Sequence, residues 1–132
     1  MFTEACRPPA VSALGTRIRS ITVQQSCALT RPDAQPKPIK IEGSSLQAAM
    51  QIVDRSELMD AEGVFFNPFQ VDGCSVSVRI DRMDFPGQTI TVSGCDEPHI
   101  CTFLTDAIAA GYVPEWGSEA CVRGQACRKQ RR

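Results

Sequence analysis

The sequence predicts an α+β fold: a mainly antiparallel sheet of four or five strands with two helices packed on one face, in the order β-β-α-β-β-β-α. Three observations predict it. Residues 74–81 and 89–95 alternate apolar and polar side chains on either side of a Pro-Gly turn, as a hairpin with one wet face does. Leu46, Ala49, Met50 and Val53 recur at helical spacing, and so do Ile100, Phe103, Leu104, Ala107 and Ile108. Two one-sided helices and a one-sided sheet bury their apolar faces by stacking in two layers.

Each element has its own signal. Residues 1–15 are rich in Pro, Ala and Ser without periodicity and read as a loose lead-in to a single domain over residues 16–116. Residues 17–29 are rich in Ile, Thr and Val and read as a strand whose alternation changes phase between Ile18 and Ile21, the mark of a bulge. Pro32, Pro36 and Pro38 then impose an exposed loop, and Ile39 to Ile41 resumes as a short strand to make a wide hairpin. Ser44 with Gln47 fits a capping box for the first helix, which runs to about Met59 and ends near Gly63. Val64 to Phe66 is a short strand stopped by Asn67 and Pro68.

In the hairpin, Cys74, Val76, Val78 and Ile80 point one way and Ser75, Ser77, Arg79 and Asp81 the other. Phe85-Pro86-Gly87-Gln88 fits a type II turn, and Ile90 and Val92 continue inward while Thr89, Thr91 and Ser93 face out. The second helix starts after Asp96 or Glu97 with Pro98 in its first turn, and Gly111 stops it. Residues 117–132 turn to Gly, Ser and basic side chains and read as a weakly ordered basic tail. The element order shares its topology with the α-β-β-β-α core of double-stranded-RNA-binding domains. Asp96 and Glu97, however, stand where such a domain places cations, and they would repel phosphate.

Composition sets the class. The 132 residues are 42% hydrophobic and 22% charged, an ordinary globular balance. No apolar run approaches the ~18–20 residues of a membrane span, and Met1 to Ala10 lacks the apolar stretch of a secretory signal. The seven cysteines are odd in number and irregularly spaced, which points to reduced thiols of a cytoplasmic protein. Charge is uneven: residues 41–107 hold eleven acids against Arg55, Arg79 and Arg82, while the last ten residues hold five cations and no acid.

Four constellations could carry chemistry. Cys95, His99 and Cys101 offer zinc-type ligands, but the short C-x(2–4)-C knuckle of structural sites is missing, so buried or idle thiols are the simpler account and no cofactor is expected. The same histidine could serve a cysteine nucleophile, yet no nucleophile motif surrounds any thiol. Asp81, Asp84, Asp96 and Glu97 fall at strand ends, an acidic rim with Arg79 and Arg82 beside it. Arg123, Arg128, Lys129, Arg131 and Arg132 could bind phosphate. Aromatics at element ends, Phe65, Phe66, Phe69, Phe85, Tyr112 and Trp116, either anchor an interface or close the core.

These features favour a non-catalytic binding or inhibitor protein over an enzyme. Its acidic rim would engage the basic surface of a larger protein or nucleoprotein complex, as do small proteins with which phages and mobile elements block host defence complexes. The alternative is nucleic-acid binding through the basic tail and Arg17, Arg19 and Arg31. An open sheet edge would let two copies pair strand to strand.

Overall fold

The computed structural model describes residues 18–28, 30–70, 73–83 and 87–130. Strand β1 is Ile18–Cys27 and β2 is Ile39–Ile41, followed by helix α1, Ser44–Ser56. Strands β3 (Gly63–Phe66), β4 (Cys74–Arg82) and β5 (Gln88–Ser93) come next, then helix α2, Pro98–Ala109, and a two-residue strand β6, Arg128–Lys129. The fold is α+β in the expected order, with three corrections to the sheet. It has six strands, it is mixed, and its last strand comes from the segment read as a weakly ordered tail.

The strand order is β2-β1-β4-β5-β3-β6. β1 pairs antiparallel with β4 over almost its whole length, and β4 turns back into β5, so β5 lies between β4 and β3. The second arm of this hairpin, β5, runs antiparallel to β4 and pairs in parallel with β3, which makes the sheet mixed. The register of β1 against β4 shifts between Ile18 and Ser20, the bulge that the phase change in the sequence indicates.

Alternation sorts the two faces. Ile21, Val23, Val76, Val78, Ile80, Ile90 and Val92 are buried beneath the helices with Leu46, Val53, Ile100, Phe103 and Leu104. The opposite face carries Thr22, Gln24, Ser75, Ser77, Thr89, Thr91 and Ser93, half-buried or exposed. No described element covers it.

Local signals fared unevenly. Glu97 caps α2 through its side chain, accepting from the Ile100 amide at 3.0 Å, with Pro98 in the first turn as expected. The capping box at Ser44 does not form. Gly43 is the N-cap, no side chain caps the helix, and Ser44 is already its first residue. Helix α1 also stops at Ser56, short of the expected end, because Glu57 turns left-handed (φ 54°) and a 3-10 turn, Leu58–Asp60, follows. Phe85 and Pro86 of the expected type II turn lie outside the described residues.

The cysteines overturn the expectation of reduced thiols. Cys27 pairs with Cys74, Cys95 with Cys127 and Cys101 with Cys121, while Cys6 lies outside the described residues. Their spacing in sequence is irregular because tertiary register brings the partners together. Cys27 and Cys74 face each other across β1 and β4, and a backbone β-bridge aligns Cys95 with Cys121 beside the start of α2, which brings both near their disulfide partners Cys127 and Cys101. Residues 117–130 are thereby pinned to the body by two disulfides and by the pairing of β6 with β3.

Candidate functional site

The residues proposed as a joint acidic surface do not come together. Asp81 lies near the β4–β5 turn, where it pairs with Arg79 at 2.9 Å and accepts from the Ser20 hydroxyl at 3.2 Å. Asp96 and Glu97 follow the other end of β5, about 20 Å away at the rise of an extended strand. Asp84 lies outside the described residues. Arg82 turns into the structure: its Nη2 donates to the Gln88 side chain at 2.6 Å, and its Nε is buried without a partner. Of the six residues, Arg79 and Asp96 are exposed and Asp81 and Arg82 partly so, while Glu97 is spent on structure.

Glu97 is 7% exposed and does two things at once. One carboxylate oxygen caps α2, and the other meets His99 Nδ1 at 2.9 Å. That hydrogen bond raises the His99 pKa above its ordinary value. Partial burial opposes the rise, and the charges of Glu97, Asp60 and Glu57 add to it. The pair fixes the imidazole, and every described cysteine is in a disulfide, so none of these serves it as a thiolate. For the same reason Cys95 and Cys101 cannot supply thiolates to a metal, and among the described residues no group of three or more His, Cys, Asp or Glu converges as a metal site would.

All three disulfides sit at one end of the sheet. The register puts Cys27 and Cys74 beside the last residues of β5, and Cys95 follows β5 directly. At this end lie three open grooves. One, of about 470 Å³, runs beside the Cys101–Cys121 bridge between Asp96, Thr102, Asp106 and Arg123. A second, of about 380 Å³, separates Gln24 and Ser26 of β1 from Pro36 and Pro38, whose missing amides end the pairing with β2. The third, of about 290 Å³, lies between the Asn67-Pro68-Phe69 turn and Gln125 to Arg128.

The aromatics separate cleanly here. Phe65, Tyr112 and Trp116 pack against the core, whereas Phe69 is 89% exposed. The turn that carries it is tightly held. Asn67 donates its amide to the Ser93 carbonyl at 2.9 Å, and its side-chain and backbone oxygens accept from Phe69 and Gln70 at 3.0 and 3.1 Å. The Gln70 amide group lies where a Cβ at Gly73 or Gly94 would stand, so both glycines are required for its approach. Adjacent turn formers in Asn67-Pro68 were the only sequence signal of this presentation.

The basic residues, too, are ordered differently from a loose tail. Lys129 stands 5.7 Å over the Phe65 ring, and Arg128 faces Phe66 across β6 and β3. Arg123 borders the groove beside the Cys101–Cys121 bridge, and Arg131 and Arg132 lie outside the described residues. No protein family, curated protein or solved structure matches this chain. No described helix is long and apolar enough to cross a membrane.

Proposed function

We propose that this is a non-catalytic binding protein that receives a protein partner on the face of its sheet that no described element covers. The observation that carries this reading is the face itself. Thr22, Gln24, Ser75, Ser77, Thr89, Thr91 and Ser93 form a field of uncharged donors and acceptors on rigid strands, bordered by Lys40 opposite Thr22, by Arg128 opposite Phe66 and by the Arg79–Asp81 pair. A broad, pre-ordered polar surface suits a macromolecule, because it offers many weak hydrogen bonds and little enclosure. The acidic residues first expected to drive docking are too dispersed to act as one patch, so the binding reading is retained and its surface is moved.

The disulfides bear on where the protein works. Three bridges within 132 residues persist in oxidising surroundings and are rare in a reducing cytosol. We therefore place the protein in an oxidising compartment in preference to the cytoplasm. A second reading, nucleic-acid binding through Arg123, Arg128 and Lys129, draws support from the exposed Phe69 ring beside Arg128, since a stacking surface next to a cation suits single strands. That reading requires affinity to fall steeply with salt.

The test is photo-cross-linking of the oxidised protein in the secreted and envelope fractions of its source. One probe replaces Thr91 on the sheet face and one replaces Gln51 on the exposed side of α1. An adduct of defined mass from position 91 and not from position 51, abolished by Ser77→Arg, is the expected result. Equal adducts from both positions, or none from position 91, would sink the reading.

A further inference from the structure

We infer that Phe69 is the anchor of this interface and that the partner protein offers an apolar pocket with an acidic rim to receive it. The inference rests on the sheet-face reading and names the chemistry of the partner. Solitary exposed hydrophobic residues are common and need no explanation. Phe69 differs in how it is held.

A phenylalanine in a loose loop would lose its rotamers and its backbone freedom on binding, and that entropy would offset most of the contact energy. Here the backbone part of that cost is met in folding. Pro68 fixes one backbone angle, and Asn67 closes the turn with both of its oxygens and ties it to β5 through Ser93. The Gln70 amide N–H closes the far side on the Asn67 carbonyl, and its side chain lies against Gly73 and Gly94. The ring, 89% exposed, therefore projects from a backbone already held in place, so that only its own rotamers are left to order when a partner buries it.

The groove beneath the ring gives the sign of the partner. Arg128 is the only charged side chain on its wall among the described residues, and it is exposed. A partner that covers Phe69 must approach Arg128, and carboxylates there would be attracted while cations would be repelled. Phe66, opposite Arg128 in the register and on the uncovered face, joins this spot to the hydroxyl field. Ring, cation and sheet face thus form one continuous surface.

The experiment places the photoreactive p-benzoylphenylalanine at position 69, a change that keeps an aromatic ring there, in the same fractions. The expected result is a nuclease-resistant adduct whose cross-linked peptide lies in an apolar concavity bordered by Asp or Glu. Unlabelled wild-type protein present before irradiation should suppress its formation, while Phe69→Ala and Arg128→Glu should compete at least about 30-fold more weakly, the size expected of an anchor residue. Phe69→Ala should melt within a degree or so of wild type, since the ring is outside the core. An adduct from position 91 with none from position 69, or full competition by Phe69→Ala, overturns the anchor and leaves the sheet-face reading standing. Loss of both adducts overturns both, and a nuclease-sensitive adduct at position 69 overturns the protein pocket in favour of base stacking.

Discussion

At the scale of single residues, Glu97 shows how much one buried side chain can hold. It caps α2 and fixes His99, so Glu97→Ala removes both contacts. Loss of the cap costs about 1 kcal/mol, which should lower the melting temperature by a few degrees in calorimetry. The histidine adds a pH signature. Its folded pKa is raised, so the folded state holds its proton more tightly than the unfolded chain does. The resulting stability is complete below about pH 6.5, the ordinary histidine value, and is lost as pH rises through the folded pKa. Wild type should therefore melt at progressively lower temperature as pH rises from about 6 toward 8, and His99→Gln should flatten that slope. A slope that survives in His99→Gln would assign it to another group. Gly94→Ala should cost about 1–3 kcal/mol, because its φ of 74° disfavours a side chain and the new Cβ would displace Gln70. The start of α2 was legible to within a residue, since Pro98 marks it, but whether Asp96 or Glu97 caps it was not. Nor was the bond from Glu97 to His99, because a residue at the second helical position can turn either way. Ser44 matched a capping pattern and does not cap, since the pattern specifies residue types and leaves the angles of the preceding glycine free.

At the scale of elements, what was legible is what a single strand or helix encodes by itself. Period-two alternation in β4 and β5 and the stripe of α2 depend only on which face is buried, and both appear where the sequence places them. Order within the sheet depends on distant pairings, and there the sequence is silent. Nothing in Val64 to Phe66 distinguishes a strand parallel to β5 from one antiparallel to it, and nothing in Arg128-Lys129 announces a strand at all. The segment bearing β6 buries few apolar side chains, so its attachment falls to the two disulfides and a handful of backbone bonds. Closing a loop of 32 residues with Cys95–Cys127 is worth about 3–4 kcal/mol in the chain-entropy account. Replacing both cysteines by alanine should loosen β6 first. Amide exchange at Val64 to Phe66 should then accelerate by an order of magnitude or more while Val78 and Ile90 keep their protection. Uniform acceleration across the sheet would mean that this bridge supports the whole core. Both sheet edges are short, three residues in β2 and two in β6, and β6 is cationic, which leaves little length for two copies to pair strand to strand.

At the scale of the whole molecule, the protein has two unlike ends. The β4–β5 turn end carries Asp81 and no bridge, and the opposite end holds every described disulfide, the three grooves and the Phe69 turn. Phe103, Leu104, Val78 and Ile90 are fully buried in the body between the ends, and a layer of two helices on a six-stranded sheet has enough core to fold without covalent help. The staples therefore serve the end more than the core. Each of the three is worth about 3–4 kcal/mol by loop closure, with loops that overlap and so do not add, against a typical stability of 5–15 kcal/mol. Full reduction with excess dithiothreitol should accordingly leave a folded body, with helical and sheet circular dichroism largely kept and a melting temperature lower by tens of degrees. Trp116 should report a change at the same time, because its segment lies between α2 and the bridged residues. The capture of partner from position 69 should fall to background, since reduction frees one wall of its groove at Cys127. Should the reduced protein keep both its melting temperature and its capture, the bridges would be incidental, and the argument that places this protein in an oxidising compartment would lose its physical ground.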